Sequence, residues 1–338
     1  MNRTTHAGTA TVAPAGHGPW RSAGLSLGWV ALAALLVPVI ARATGWETGP
    51  LAFLVALMPW MTLACLGPLA LAALVRSAPL AVASAAALAL GVAWQAPLFT
   101  AADATGDPVL TVASVNLTYG GADARAVVDL VREGDVDVLV AQEVTPESVE
   151  ALEAAGLTDL LPHAEVAAEP GVTGTGLWAS TPLGDAESLA GFTTASSTDR
   201  YLSRAVRADI EVGDESVSVL AVHPAAPGPV EHSGWDASMT ALTEHLSQQT
   251  GPIVVAGDFN STRDHRAFRA IEALGYLDAA DQAGSGLQFT FPQGRRPWPL
   301  AAIDHMLVRD AALVATSTWT AAVPGADHRA LVVEYARR

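Results

Sequence analysis

Three apolar runs crowded into the first hundred residues set the strongest limit on how this 338-residue chain folds. They cover residues 23–41, 51–75 and 78–99, and none holds a charged side chain. Each is close to the roughly 20 residues that a helix needs to cross a hydrocarbon core about 30 Å thick. A cleaved signal peptide explains one such run but not three. A helix on the surface of a soluble domain shows a polar stripe, and these show almost none. The reading is a three-span transmembrane anchor over 23–99, preceded by a tail over 1–22 to which the sequence assigns no role. Pro38, Pro59 and Pro68 predict kinks within the spans, and Trp29, Trp46, Trp60 and Trp94 supply candidates for interfacial anchoring. The most polar side chain in the runs is Gln95, so nothing ionisable marks an ion or proton path, and a transporter or channel is disfavoured.

Arginine placement suggests an orientation. Arg3 and Arg21 precede the first run and Arg76 lies in the turn between the second and third, whereas Arg42, with Glu47 nearby, counts the other way. Positive-inside counting places the N-terminus in the cytoplasm. Three spans then put the rest of the chain on the extracytoplasmic side of the plasma membrane.

That remainder is compositionally different. Fourteen arginines face thirty-three acidic residues after position 100, a formal charge of −19, and the whole chain contains no lysine. Proteins that bind bulk polynucleotide usually present a basic surface that displaces counterions from phosphates, so this balance argues against one. Cys65 is the lone cysteine, which excludes an internal disulfide or a multi-cysteine metal site. Residues 100–108 are small and polar and read as a linker. From 109 onward, LTVASV (110–115), the amphipathic stretch 122–133 and VDVLVAQE (136–143) form a strand–helix–strand start. Further strands are expected at 176–179, 205–212, 216–222, 253–256, 302–308, 312–318 and 331–335, and helices at 237–247 and 264–274. Intermittent helices between strands predict an α/β domain over 109–338, built of two mixed sheets packed together with helices outside.

Polar residues interrupt the ends of these apolar strands repeatedly. Asn116 ends the first strand and Glu143 the second; His223 ends VSVLAVH; Asp258 and Asn260 end IVVAGDFN; Asp304 lies in AAIDHMLV; Asp327 and His328 lie in GADHRALVVEY. Strand ends hold side chains on a rigid frame, where ligand-binding and catalytic groups concentrate. Singly, each has an ordinary structural explanation. Together they supply what hydrolysis of a phosphate ester requires: oxygen ligands for a cation, a carboxylate to orient or deprotonate a water, and donors for developing charge. Glu143 is the leading metal ligand, with Asn116 and Asp327 able to complete its sphere. Asp258 suits the attacking water, Asn260 and His223 suit the phosphoryl oxygens, and His328 held by Asp304 gains a fixed tautomer and a raised pKa. An oxygen-rich set fits Mg²⁺, and equally Mn²⁺.

GDFN, AQE, the IDH segment and the terminal ADH before an apolar strand resemble the endonuclease/exonuclease/phosphatase superfamily over about residues 109–338. The fragment TGTGLWASTPL (173–183) is similar to the family's strand around a Gly-small-apolar-Ser-x-x-Pro pattern. The resemblance implies a DNase I-like four-layer α/β sandwich and the same residue roles: Glu143 and Asn116 at the metal, His223 at the phosphate, Asp258 and Asn260 around the water and phosphate, and Asp304 orienting His328 with Asp327 beside them. Thr118 departs from the pattern where some nuclease members carry Asp. The segment STRDHRAFR after GDFN offers no aromatic wedge or basic run for DNA. Arg295, Arg296 and Trp298 border the substrate site in one reading and a solvated loop in the other. A three-span anchor joined to such a domain resembles membrane-anchored bacterial members, teicoplanin-resistance-type proteins among them. The expectation is a membrane-anchored, metal-dependent phosphoesterase acting on lipid-linked or other extracytoplasmic phosphate esters. An extracytoplasmic nuclease and a non-catalytic membrane-tethered binding module are the alternatives. Substrate, ester class and oligomeric state stay open.

Overall fold

The computed structural model describes residues 18–102, 106–192, 203–230, 232–294 and 298–338. The tail up to residue 17 and the pair Arg295 and Arg296 therefore lie outside the described residues. The N-terminal part is helical: α1 (Pro19–Thr44), α2 (Pro50–Ala56), α3 (Met58–Ala64), α4 (Leu66–Leu74) and α5 (Ala78–Gln95), with a short 3₁₀ turn at Ala96–Phe99. Two helical stretches, Pro19–Thr44 and Ala78–Phe99, are long and apolar enough to cross a membrane. The middle run differs from the single span expected. It bends by 73° between Pro50–Ala56 and the stretch Met58–Leu74, so it counts as a third span only if the bent pair is one. The break at Leu57 stands just before Pro59, which has no N–H to continue the ladder and whose ring crowds the carbonyl four residues back.

The second part begins at β1 (Leu110–Asn116) and continues through α6 (Ala124–Glu133), β2 (Val138–Gln142), α7 (Pro146–Ala154), α8 (Leu157–Leu160), β3 (His163–Ala167), β4 (Thr175–Ala179), β5 (Gly184–Leu189), β6 (Ala205–Val212), β7 (Glu215–Val222), α9 (Ser233–Gln248), β8 (Ile253–Asp258), α10 (Arg266–Glu272), β9 (Leu277–Asp278), α11 (Ala279–Ala283), β10 (Asp304–Arg309), β11 (Leu313–Ala322) and β12 (Arg329–Arg337). Two six-stranded mixed sheets form, in the orders β11-β12-β1-β2-β4-β3 and β5-β6-β7-β8-β10-β9. Alternation along each strand builds the layers. In β8, Val254 and Ala256 face the other sheet, while Ile253 and Val255 face helices α9 and α10. In β1, Val112 points between the sheets and Ala113 and Val115 point toward α6 and α7. The result is the four-layer α/β sandwich.

Strands β3 and β5 were not expected. Both are edge strands with little buried surface, so neither carries an alternating apolar pattern. Helix α7 was also missed. Its start is a capping box in which Thr145 and Ser148 exchange side-chain and backbone hydrogen bonds.

One feature of the topology positions the site. The parallel pairs β1–β2 and β7–β8 end on the same side of the sandwich. Antiparallel β10 begins beside the end of β8, with Asp304 paired to Asp258. Antiparallel β12 starts just after His328, alongside the end of β1. Six strand termini from both sheets thus deliver side chains to one rim.

Candidate active site

Asp258 is the centre of that rim. It is buried at the end of β8, and three side chains from other strand ends face its Oδ2: Asn116 Nδ2 donates at 3.1 Å, His223 Nε2 lies at 3.5 Å and His328 Nε2 at 3.6 Å. Its Oδ1 accepts the backbone N–H of Asn260 at 2.7 Å, closing a local turn in which Asn260 takes a positive φ of 48°. Gly257 precedes it at a φ of 152°, and a Cβ there would sit 2.0 Å from the carbonyl oxygen of Val222 on β7. Only glycine lets β8 run this close to β7, so the glycine of GDFN sets where Asp258 stands.

Each histidine is held from behind. His328 Nδ1 donates to Asp304 Oδ2 at 2.9 Å, and the ring packs against Phe291 at 4.9 Å between centroids. His223 Nδ1 lies 3.2 Å from the carbonyl of Val172 and 3.4 Å from Ser203 Oγ. In both, the rear nitrogen is occupied and Nε2 is aimed into the cleft. Burial opposes charging His328, but Asp304 and Asp258 on either side outweigh it and raise its pKa to about 10. Burial opposes charging His223 too, and the hydrogen bond and charge of Asp258 outweigh that cost and raise it. For Asp258 burial pushes upward, yet the two imidazoles and the Asn260 N–H bring its pKa down to about 2. Asp304 is shifted the other way, because burial and the nearby Asp258 charge exceed the pull of His328. Environments that push paired carboxylates apart in this way are characteristic of acid–base sites.

Glu143 stands at the end of β2 with a φ of 56°. Its Oε1 accepts Asn116 Nδ2 at 3.2 Å and its Oε2 accepts the Tyr119 backbone N–H at 2.7 Å. Asn116 therefore ties Glu143 to Asp258, and its own Oδ1 accepts the Thr118 N–H at 2.9 Å. Asp327 is held by Thr118, whose hydroxyl donates to Asp327 Oδ1 at 2.6 Å and accepts the Asp327 N–H at 2.9 Å. Asn260 Nδ2 donates to the Pro224 carbonyl at 3.0 Å, fixing the loop after His223 and leaving its second N–H for a ligand. All eight residues singled out from sequence thus lie along the same strand-end rim. The supporting residues Thr118, Tyr119, Phe291 and Thr290, whose hydroxyl accepts the Asp304 backbone N–H at 3.4 Å, were not foreseen as members of the site. The signal for Thr118 was its position two after Asn116; Tyr119 acts through its backbone and leaves no trace in sequence.

The donor set fits a divalent cation. Four carboxylates, Glu143, Asp258, Asp304 and Asp327, face two imidazoles. Even with both imidazoles charged the rim carries two excess negative charges, a poor receptor for an anionic ester unless a cation is present. Ligand atoms of Asp258, Asp304 and His328 lie within 4.8 Å of one another, and Asp304 Oδ1 is buried without a hydrogen-bond partner among the described residues. His328 has each nitrogen turned to a carboxylate, which suits an imidazolium better than a metal ligand. The carboxylate oxygens of Glu143 and Asp327, half-buried at the rim, are the better donors.

Comparison with known proteins agrees with this fold. A sequence profile described as the Endonuclease/Exonuclease/phosphatase family matches residues 113–328. No curated protein matches the chain. Solved structures share the fold. An endonuclease/exonuclease/phosphatase family protein from Leptotrichia buccalis is 15% identical with a TM-score of 0.54, covering 67% of this chain and 99% of its own. TDP2 from D. rerio, complexed with single strand DNA product, is 13% identical with a TM-score of 0.55, covering 67% and 98%. An AP endonuclease from Archaeoglobus fulgidus is 17% identical with a TM-score of 0.52, covering 66% and 98%.

Proposed function

The chain belongs to the endonuclease/exonuclease/phosphatase family, whose members hydrolyse phosphate ester bonds, and from that premise we propose that it is a membrane-anchored, divalent-metal-dependent phosphoesterase of the extracytoplasmic face. The observation that carries the reading is the convergence of Asn116, His223 and His328 on Asp258 Oδ2 from strand ends of both sheets.

The roles follow from the geometry. A bound Mg²⁺ or Mn²⁺ would neutralise non-bridging oxygens of the ester and acidify a bound water. Glu143 would hold it, with the second lone pair of Asn116 Oδ1 completing its sphere and Asp327 adding charge nearby. Asp258 Oδ2 orients the attacking water and accepts its proton as the bond to phosphorus forms and the ester P–O bond opposite it breaks, the departing oxygen taking its proton from solvent. His223 Nε2–H and His328 Nε2–H donate to the phosphoryl oxygens where charge develops, and Asp304 keeps His328 charged and oriented. The free N–H of Asn260 adds a further donor.

Two observations support the placement. Arg21 donates to the carbonyls of Val75 and Arg76, so both arginines lie at the end of the helices remote from the second domain. Arg42, the arginine that counts against this orientation, is paired with Asp264 of the catalytic domain at 2.5 Å. The acidic charge of the catalytic part favours an amphiphilic phosphate ester at the membrane over nucleic acid.

The test is hydrolysis by the full chain in lipid nanodiscs of plasmid DNA, phospholipids, a polyprenyl diphosphate and a bis-aryl phosphodiester, with Mg²⁺, with Mn²⁺ and with EDTA. Metal-dependent turnover that disappears in Glu143→Ala and His328→Ala is expected, strongest on the lipids. Turnover greatest on plasmid would assign a nuclease instead. Bound metal without turnover of any substrate would assign a binding module.

A further inference from the structure

The anchor does more than sit beside the catalytic domain. A cavity of about 360 Å³ opens on His328 and Asn260, and its opposite wall is α2 of the anchor, through Ala52, Phe53 and Ala56, with Leu57 at the break that follows. The catalytic domain completes it mainly with apolar groups, among them Phe291, Leu300 and Ile303. This volume is in the range of small-molecule sites, and the composition, apolar walls with a few polar groups at one end, is that of a site for an amphiphile.

The wall is fastened by polar contacts rather than by apolar packing alone. His265 Nε2 donates to the carbonyl of Ala52 at 2.9 Å, and His265 Nδ1 accepts the Thr262 N–H at 2.9 Å. Trp60 of α3 donates its indole N–H to the carbonyl of Leu300 at 2.8 Å and stacks on Phe289. Glu47, in the loop before α2, accepts the Arg266 N–H at the start of α10. Asp264 accepts from Arg42 of α1 and Gln95 of α5. Three helices of the anchor are therefore pinned to one short segment, residues 262–266, that follows directly on GDFN.

We propose that this cavity takes the proximal hydrocarbon of a phosphate ester that carries an aliphatic chain, so that α2 is a specificity-determining wall of the substrate site. The inference rests on the phosphoesterase reading above. The catalytic imidazole and the apolar cavity share His328, so a phosphate placed at the rim directs whatever is esterified to it along α2. A nucleotide would present a charged, hydrated backbone to the same apolar wall, at the cost of desolvating it. α2 is itself one arm of the bent apolar pair whose other arm is Met58–Leu74.

The test uses full-length protein in nanodiscs and 4-nitrophenyl phosphodiesters whose second ester group runs from methyl to octyl, with a matching short isoprenoid series to separate straight from branched chains. Rates are normalised to the methyl ester. Partition into the bilayer raises the rate with chain length equally in every variant, so the comparison is between wild type and cavity-filled variants. Ala56→Phe fills the cavity from the anchor side and Ala226→Trp from the catalytic side. The octyl-to-methyl ratio of wild type is expected to exceed that of either variant by at least about tenfold, the worth of two buried methylenes. Coincident slopes in wild type and both variants, with the methyl ester hydrolysed, would overturn the inference and leave the phosphoesterase reading intact. No hydrolysis of any member of either series with any divalent metal would remove both.

Discussion

Asp304 Oδ2 lies 2.9 Å from His328 Nδ1, and the two are buried together at the junction of the sheets. This contact holds His328 as an imidazolium with Nε2 facing the cleft. Replacing the ring with His328→Ala is expected to lower kcat by about 10²- to 10⁴-fold with little change in KM. Asp304→Asn keeps the shape and removes the charge. The sign follows from linkage: activity needs the protonated ring, so it is lost as pH rises through the His328 pKa of about 10. Without the Asp304 charge that pKa falls, and the alkaline limb of the kcat profile is expected to move to lower pH. An unmoved limb in Asp304→Asn would show that the pair plays no part in proton control.

Glu143 is expected to hold the cation. Glu143→Gln keeps an acceptor for Asn116 and Tyr119 but loses the charge. The Mg²⁺ concentration giving half-maximal rate is expected to rise at least about tenfold, with part of kcat recovered at high metal. Titration of metal against rate checks this; an unchanged midpoint would place the cation elsewhere in the rim.

The approach of β8 to β7 requires glycine. In Gly257→Ala the new methyl meets the Val222 carbonyl at 2.0 Å in a backbone region that disfavours side chains. A loss of about 3 kcal/mol or more of stability is expected, seen as a lower unfolding midpoint. A variant as stable as wild type would mean that the turn relaxes without cost.

His265 links pH to anchor docking. Burial is the main cause that depresses its pKa to about 4, from an ordinary value of 6.5. The unfolded chain therefore takes up the proton first. Its contribution to stability is full above pH 6.5, falls as pH drops from 6.5 to 4, and levels off below, a change on the order of 3 kcal/mol. His265→Gln is expected to lose this part of the acid destabilisation when melting temperatures at pH 7.5 and pH 5 are compared. An identical pH dependence in both proteins would exclude His265 as its source.

Much of the site was legible because every member ends or begins an apolar strand: AQE, VSVLAVH and IVVAGDFN each place a polar group where a buried run stops. The inner strands of both sheets and helices α6, α9 and α10 followed from the same alternation, whereas the edge strands β3 and β5 and helix α7 did not. The attachment of anchor to catalytic domain was not legible. The segment STRDHRAFR reads locally as a helix start, yet Asp264 and His265 find their partners in Arg42, Gln95 and Ala52, 169 to 222 residues away. No local period encodes such contacts. The 73° bend was visible only as Pro59, since a proline permits a kink without stating its angle.

The most direct test of the central claim is the rate of Asp258→Asn on the best substrate of the lipid panel, at saturating metal. The side chain keeps its size and its contact with the Asn260 N–H but can neither attract two imidazoliums nor accept a proton from water. A loss of about 10²-fold or more in kcat, with metal binding and melting temperature close to wild type, is the result predicted here. Turnover by Asp258→Asn within a few-fold of wild type would contradict a centre organised on Asp258.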